Sequence, residues 1–317
     1  MPNTINYAAV FNQVLDEKYA ILPRTNFMEQ NAMGIVWQGG KTVNVPKLTM
    51  QGLGTVAGCT VPDGEYTFEY EPFTLQWDRG RKFSIPRYAV NETNFALTVG
   101  NILSTFLKQK VVPEIDKLRL STVATKAITA GNVTYGGASG LTNPLASLLA
   151  DIASVQDKIG EDVQLYIPVS QTVKSQIMAS SEIVKYLSVR DFEIRSVNLQ
   201  MDAINDQYLI GCPSSYMKSA FTAYDGTTSG QEDGGVVPAS TAKDINWLII
   251  AGDACIALAY PRVEKVIDPD VNQAGDCWII MFRAYHGLII PDNKVDGIWV
   301  NVKADAPTTA DAPTTTG

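Results

Sequence analysis

Residues 63–87 read DGEYTFEYEPFTLQWDRGRKFSIPR. Asp63-Gly64 is a turn dipeptide, and the residues after it alternate between apolar and polar side chains. Tyr66, Phe68 and Tyr70 form one alternating set, and Phe73, Leu75 and Trp77 a second. A third, Phe83, Ile85 and Arg87, follows Asp78-Arg79-Gly80-Arg81. Period two is the spacing of a strand with one covered face. Upstream, Gly39, Gly40, Gly52, Gly54 and Gly58 punctuate a second extended stretch. Residues 36–90 therefore read as a long antiparallel ribbon with a Gly-rich tip. Such a ribbon is marginal alone and needs a surface to lie on.

Downstream the period changes. Phe95, Val99, Ile102, Leu103, Phe106 and Leu107 recur at helical steps. Pro113 lacks the N–H that the next turn requires, which predicts a kink near Val111 or Val112. The helical pattern then resumes through Ile115, Leu118 and Val123 to about Ile128. Gly131 to Leu141 is a Gly-rich linker and the best domain boundary. Asn143 and Pro144 then open a second helix that Gly160 ends, with Leu145, Leu148, Leu149, Ile152, Val155 and Ile159 as its buried stripe. A strand over Val163–Val169 and a helix capped by Ser170 follow. Further strands are expected at Phe192–Leu199, Gln207–Gly211, Asn246–Ala251, Cys255–Tyr260, Cys277–Phe282 and Tyr285–Ile290. Residues 225–243, rich in Gly, Ser, Thr and Asp, read as a mobile loop. Helices and strands without a regular βαβ rhythm give an α+β fold. Upstream of the ribbon, residues 1–35 read as an arm with one short helix around Tyr7–Tyr19. Residues 304–317, which repeat ADAPTT, read as a flexible tail.

Composition narrows the function. The 317 residues carry 25 basic and 33 acidic side chains, a net charge of −8. Residues 1–130 are net +2 and the remainder net −10. An acidic chain is poorly suited to gripping phosphate backbones. A single histidine, His286, rules out multi-histidine zinc sites within one chain and leaves any Ser-His-Asp scheme to that residue. Cys59, Cys212, Cys255 and Cys277 are too far apart for a C-x-x-C motif and read as structural thiols in a reducing cytoplasm. The N-terminus shows no secretory leader, and no apolar run is long enough to span a membrane.

The motifs that come close to a chemical signature fail on inspection. Gly34 with Gly40-Lys41-Thr42 has P-loop character, but Val43-Asn44-Val45-Pro46 feeds a strand where a P-loop needs a helix N-terminus. Asp268-x-Asp270-x-Asn272 opens like a calcium loop, yet Gln273 replaces its glycine and Ile279 its bidentate glutamate. Ser215-x-x-Lys218 has no Ser-Asp-Asn or Lys-Thr-Gly partner. The sequence assigns no catalytic, cofactor-binding or metal-ligating residue, and it does not read as an enzyme.

Two longer stretches carry a resemblance. Residues 77–124, WDRGRKFSIPRYAVNETNFALTVGNILSTFLKQKVVPEIDKLRLSTVA, and residues 245–300, INWLIIAGDACIALAYPRVEKVIDPDVNQAGDCWIIMFRAYHGLIIPDNKVDGIWV, resemble the major capsid proteins of tailed bacteriophages, the Hong Kong 97-like fold. That resemblance implies an N-arm (1–35) and an extended loop (36–90) resting on a neighbouring subunit. It implies a peripheral domain with a long spine helix (91–138 and 263–303), an axial domain (139–262) and a tail (304–317). It implies no catalysis. Pentamers and hexamers would close an icosahedral shell around double-stranded DNA without sequence-specific binding, in a virion assembled in the host bacterial cytoplasm. A separate scaffolding protein, a portal and decoration proteins are the expected partners, with no membrane and no cofactor. Phe68, Phe73 and Trp77, as the apolar face of the ribbon, with Arg79 and Arg81, are the candidate subunit-interface residues. Two other readings remain at this stage: an encapsulin-like shell of the same fold, and a hydrolase built on His286. Because Met1 begins almost directly on the arm, no fused scaffolding segment is expected. No cross-link is expected through Lys41 or Lys47, which suit edge protection.

Overall fold

The computed structural model describes residues 23–32, 42–55, 63–92, 99–137, 139–180, 187–194, 197–204, 207–273 and 275–306. The helix expected over 7–19, Lys41, Cys59, Phe95 and the repeat from residue 307 lie outside them. Strands β1 (Thr42–Met50) and β2 (Tyr66–Thr74) form the ribbon, antiparallel and in register from Thr42 opposite Thr74 to Met50 opposite Tyr66. The third alternating run is β3 (Trp77–Pro86), and here the structure departs from the sequence reading. It turns out of the ribbon and joins a separate sheet. The helical region is α1 (Arg87–Glu92), α2 (Val99–Phe106), a π-helical turn over Leu107–Val111, and α3 (Val112–Thr129). The predicted kink is thus a widened turn two residues before Pro113, where the ladder absorbs the missing proline donor.

A short strand, β4 (Val133–Tyr135), lies inside the expected linker. Helix α4 (Pro144–Ile159) begins where Asn143 accepts a hydrogen bond from the Ala146 amide at 3.2 Å and ends at Gly160, whose φ is +86°. Then come β5 (Leu165–Ser170), α5 (Gln171–Met178), β6 (Leu187–Ile194), β7 (Val197–Ile204) and β8 (Gln207–Cys212). The run expected as one strand at 192–199 is therefore two strands of a hairpin, with Ile194 opposite Val197. No Gly, Pro or Asn marks that reversal in the sequence. The chain finishes with β9 (Phe221–Ala223), β10 (Val236–Pro238), β11 (Asp244–Ala251), β12 (Ile256–Ile267), β13 (Cys277–Ile289) and β14 (Ile298–Lys303). The two strands expected at 277–290 are one, because Arg283-Ala284 carries no turn chemistry and pairs straight through with Gly80 and Arg79.

These strands build two main sheets. A seven-stranded sheet runs β4-β14-β11-β5-β8-β7-β6, and a three-stranded sheet runs β12-β13-β3. Strand β5 is buried along its whole length and β11 from Ile245 onward, as expected for strands covered on both faces. Trp247, fully buried, donates from its indole to Asp151 Oδ2 at 2.9 Å. Thr134 Oγ1 at 2.8 Å and Asn301 Nδ2 at 3.3 Å donate to the same oxygen. Burial pushes the Asp151 carboxyl above the usual carboxylate range, against the pull of these donors.

Candidate subunit interface

Register decides what the ribbon can do. Residues opposed across an antiparallel pair share a face, and alternate residues change face. Met50 lies opposite Tyr66, Leu48 opposite Phe68 and Pro46 opposite Tyr70, so these six share one side. Tyr66, Phe68 and Tyr70 are 74%, 53% and 63% exposed, with the rings of Phe68 and Tyr70 edge-to-face at 5.2 Å. The other side carries Lys47 and Glu69, 3.8 Å apart, and then, towards the base, Val45, Val43 and Phe73. Val43 packs with Leu75, Leu258 and Ile289 in a small core of their own, which Val45 and Phe73 flank. The ribbon therefore uses opposite faces at its two ends. Its base packs inward on one face, and its tip presents the other to solvent.

This divides the expected apolar face. Phe68 and Phe73 point to opposite sides because they are five positions apart, an odd step along the strand. Trp77 is not on the ribbon at all: it begins β3 opposite His286 and is half-buried. Arg79 and Arg81, also on β3, hold an intramolecular clasp. Arg79 meets Glu114 of α3 at 2.6 Å and donates to the carbonyls of Tyr224 at 2.8 Å and Gly235 at 3.0 Å. Arg81 donates to the Glu232 carbonyl at 2.9 Å. A Cβ at Gly226, where φ is +76°, would come 2.5 Å from the Arg81 guanidinium, so this clasp depends on glycine there. The loop expected to be mobile, residues 225–243, is in fact tied down by these arginines, by the β9–β10 pair and by its own turns. Asp225 accepts from the Thr227 and Thr228 amides and the Thr228 hydroxyl, which holds its carboxyl well below the usual range.

Between this loop, the π-helical turn and the β3–β13 sheet lies a cleft of about 470 Å³. Phe106 meets Phe83 at 5.0 Å and Phe282 at 5.8 Å, both edge-to-face, on its floor. His286 borders it, nearly wholly buried; burial first, then the positive charge of Arg119 and Arg79, pushes its pKa down to about 4. It is a neutral imidazole at pH 7. Among the described residues, no group of three His, Cys, Asp or Glu side chains could hold a metal ion, and no helix is long and apolar enough to cross a membrane. Cys212 and Cys255 are buried; desolvation pushes the Cys212 thiol up to about 12 and Cys255 further in the same direction.

Sequence reasoning missed one feature. Within the segment read as an arm, Thr25, Phe27 and Met28 are buried against the body. Phe27 stacks on Tyr166 at 4.3 Å, and Met28 is fully buried. Asp116 of α3 accepts from the Arg24 and Thr25 amides at 2.9 and 3.3 Å and from the Thr25 hydroxyl at 2.7 Å. Arg119 reaches Thr25 Oγ1 at 3.1 Å and Glu29 at 2.8 Å. Asp116 and Arg119 stand beside Glu114 and Lys117 in the same helix, so charge alone did not mark the two that are buried.

No protein-family model matches the chain, and no curated protein matches it by sequence. Solved structures do. The capsid structure of cyanophage P-SCSP1u superposes with a TM-score of 0.59 at 11% identity, covering 96% of this chain and 93% of that one. The mature capsid of bacteriophage PhiM1 gives 0.58 at 10%, covering 94% and 92%. The capsid of Staphylococcus phage Andhra gives 0.57 at 9%, covering 96% and 89%. The fold is that of a phage capsid subunit. More particularly, it is the mixed α+β fold that these capsid structures share.

Proposed function

We propose that the chain is the major capsid protein of a tailed bacteriophage and acts by geometry: copies assemble as pentamers and hexamers into an icosahedral shell around double-stranded DNA. The observation that carries this reading is end-to-end likeness to capsid subunits, over nine-tenths of both chains. The tip of the ribbon supports it. A face of exposed Tyr66, Phe68 and Tyr70 needs a partner surface, and a second copy is the partner that a shell supplies. In this reading residues 1–35 are the arm, 36–90 the extended loop, 91–138 with 263–303 the peripheral domain, 139–262 the axial domain and 304–317 a tail. Phe68 then contacts the neighbouring copy, while Phe73, Trp77, Arg79 and Arg81 shape the base from which the ribbon projects. A separate scaffolding protein, a portal and decoration proteins are the chain's partners, and the shell, assembled in the host bacterial cytoplasm, is the capsid of the virion.

Negative-stain electron microscopy of the full chain, expressed with its neighbouring gene products, tests the reading. Closed shells of uniform diameter that hold nuclease-protected DNA are expected. A folded chain that stays monomeric at high concentration would sink the proposal, and shells devoid of DNA would move it to a compartment protein of the same fold.

A further inference from the structure

Most of the cleft wall is engaged within the chain. Arg79 and Arg81 bind the carbonyls of the loop after β9, Glu114 answers Arg79, and Phe106 packs on Phe83 and Phe282. His286 is different. It lines the cleft and is 3% exposed, yet neither ring nitrogen has a hydrogen-bond partner among the described residues. A neutral imidazole carries one N–H donor and one acceptor nitrogen, and burying them without partners is costly.

Register places the imidazole relative to the rings. Trp77, Arg79, Arg81 and Phe83 alternate along β3 opposite His286, Ala284, Phe282 and Ile280 of β13, so all eight side chains share one face of the sheet. His286 and Phe282 are four positions apart, roughly 13 Å at about 3.4 Å per residue, with the small Ala284 between them. The cleft thus runs from an imidazole, across a shallow step, to three phenylalanines. Its volume of about 470 Å³ is that of a small-ligand pocket.

Charge narrows the ligand at one end only. On the rim, Arg81, Lys110 and Lys117 face Asp225 and Asp233, and Lys117 also lies over the Tyr216 ring at 5.3 Å, so the rim is close to balanced. At the imidazole, after burial itself, the charges that act are those of Arg119 and Arg79, both positive, although each guanidinium also holds a carboxylate, Glu29 and Glu114. An anionic oxygen there meets an N–H donor in a positive field; an ammonium meets the reverse.

We infer that the cleft is a binding site for a small planar aromatic carboxylate, its rings against Phe83, Phe106 and Phe282 and its carboxylate on His286. Every group that the site uses comes from one chain, so it stands or falls apart from the shell.

Calorimetry and magnetic resonance on the full chain test it, with naphthoate as the probe and naphthylmethylamine as its cationic counterpart. His286 is the only histidine, so isotope-labelled histidine gives a single imidazole signal in the free and the assembled chain alike. That signal should shift and saturate as naphthoate binds one to one, and the amine should bind at least tenfold more weakly. His286→Leu should weaken naphthoate at least tenfold, with the melting temperature as the check on folding; if that variant does not fold, the wild-type imidazole signal decides. Phe68→Ser, which removes an exposed ring from the tip of the ribbon, should leave binding unchanged. An imidazole signal unmoved by millimolar naphthoate, equal binding of the amine, full binding by a folded His286→Leu chain, or binding lost in Phe68→Ser would each overturn the assignment.

Discussion

Strand β11 and strand β2 differ in what completes them. From Ile245 to Ala251 every residue of β11 is buried, between β5 and β14 in the plane of the sheet and under helices across it. Strand β2 has one partner, β1, and leaves Tyr66 to Tyr70 in solvent. The first region contains its own interior. In the proposed assembly, the second is half of an interior whose other half a second copy supplies. Hydrophobic content alone does not separate the two; what separates them is whether the chain supplies both walls.

This contrast can be broken by experiment. Trp247→Ala should have the largest effect, about 4 kcal/mol of lost stability, from an unfilled cavity and the loss of the indole donor to Asp151. Urea unfolding of the dissociated chain measures it, and a loss below 1 kcal/mol would mean that the sheet interior is not self-sufficient.

The pH dependence comes next. The folded pKa of His286 lies below its unfolded value of 6.5, so in the window from about 6.5 down to about 4 the unfolded chain binds the proton more tightly. Stability from this residue is complete above pH 6.5 and falls through the window, by on the order of 3 kcal/mol. Burial shifts Asp116 and Asp151 upward, which favours folding on acidification and acts in the opposite sense. The His286→Gln variant isolates the histidine: its stability should vary less steeply between pH 6.5 and 4 than that of the wild type. Equal slopes would contradict the buried neutral imidazole.

Thr25→Ala removes a hydroxyl that donates to Asp116 and accepts from Arg119, and should lower stability by about 1.5 kcal/mol. Hydrogen exchange at residues 24–31 should rise with it; an unchanged rate would place this segment outside the folding unit. The smallest stability effect belongs to the ribbon. Phe68→Ser should change the unfolding of the separate chain by less than about 0.5 kcal/mol, as for other exposed sites, while shell yield falls. A large loss of chain stability would show that the tip is covered by its own molecule.

The legible parts of the sequence were those governed by neighbours a few residues apart. Asn143, Pro144 and Gly160 bound α4 because capping acts within one turn. Pro113 located the irregularity in the long helix, but the choice between a kink and a π-helical turn depends on how Phe106 packs against Phe83 and Phe282, which is tertiary information. The fate of Phe83 and Ile85 was hidden for the same reason. Their alternation fits a ribbon and a sheet equally well, and their partner in the structure is some two hundred positions away, on β13. The ribbon was legible as a ribbon. Its two-faced character was legible only in part, since the change of phase at Pro72 shows in the sequence but the side that meets the body does not. Arg79 and Arg81 were singled out for their charge, while the carbonyls they clasp have no sequence signature.

The opposed faces of the ribbon also restrict how its length can vary. Residues between Met50 and Tyr66 join two strands that have already been oriented, so that connection can lengthen or shorten by any number without turning the rings around. Within Tyr66–Thr74 the rule is parity. One residue gained or lost between Phe68 and Phe73 would rotate the aromatic side onto the face that now carries Lys47 and Glu69, and only changes in steps of two preserve it. Natural variation in this ribbon is therefore expected to be free in the count of its loop and quantised in the count of its strand.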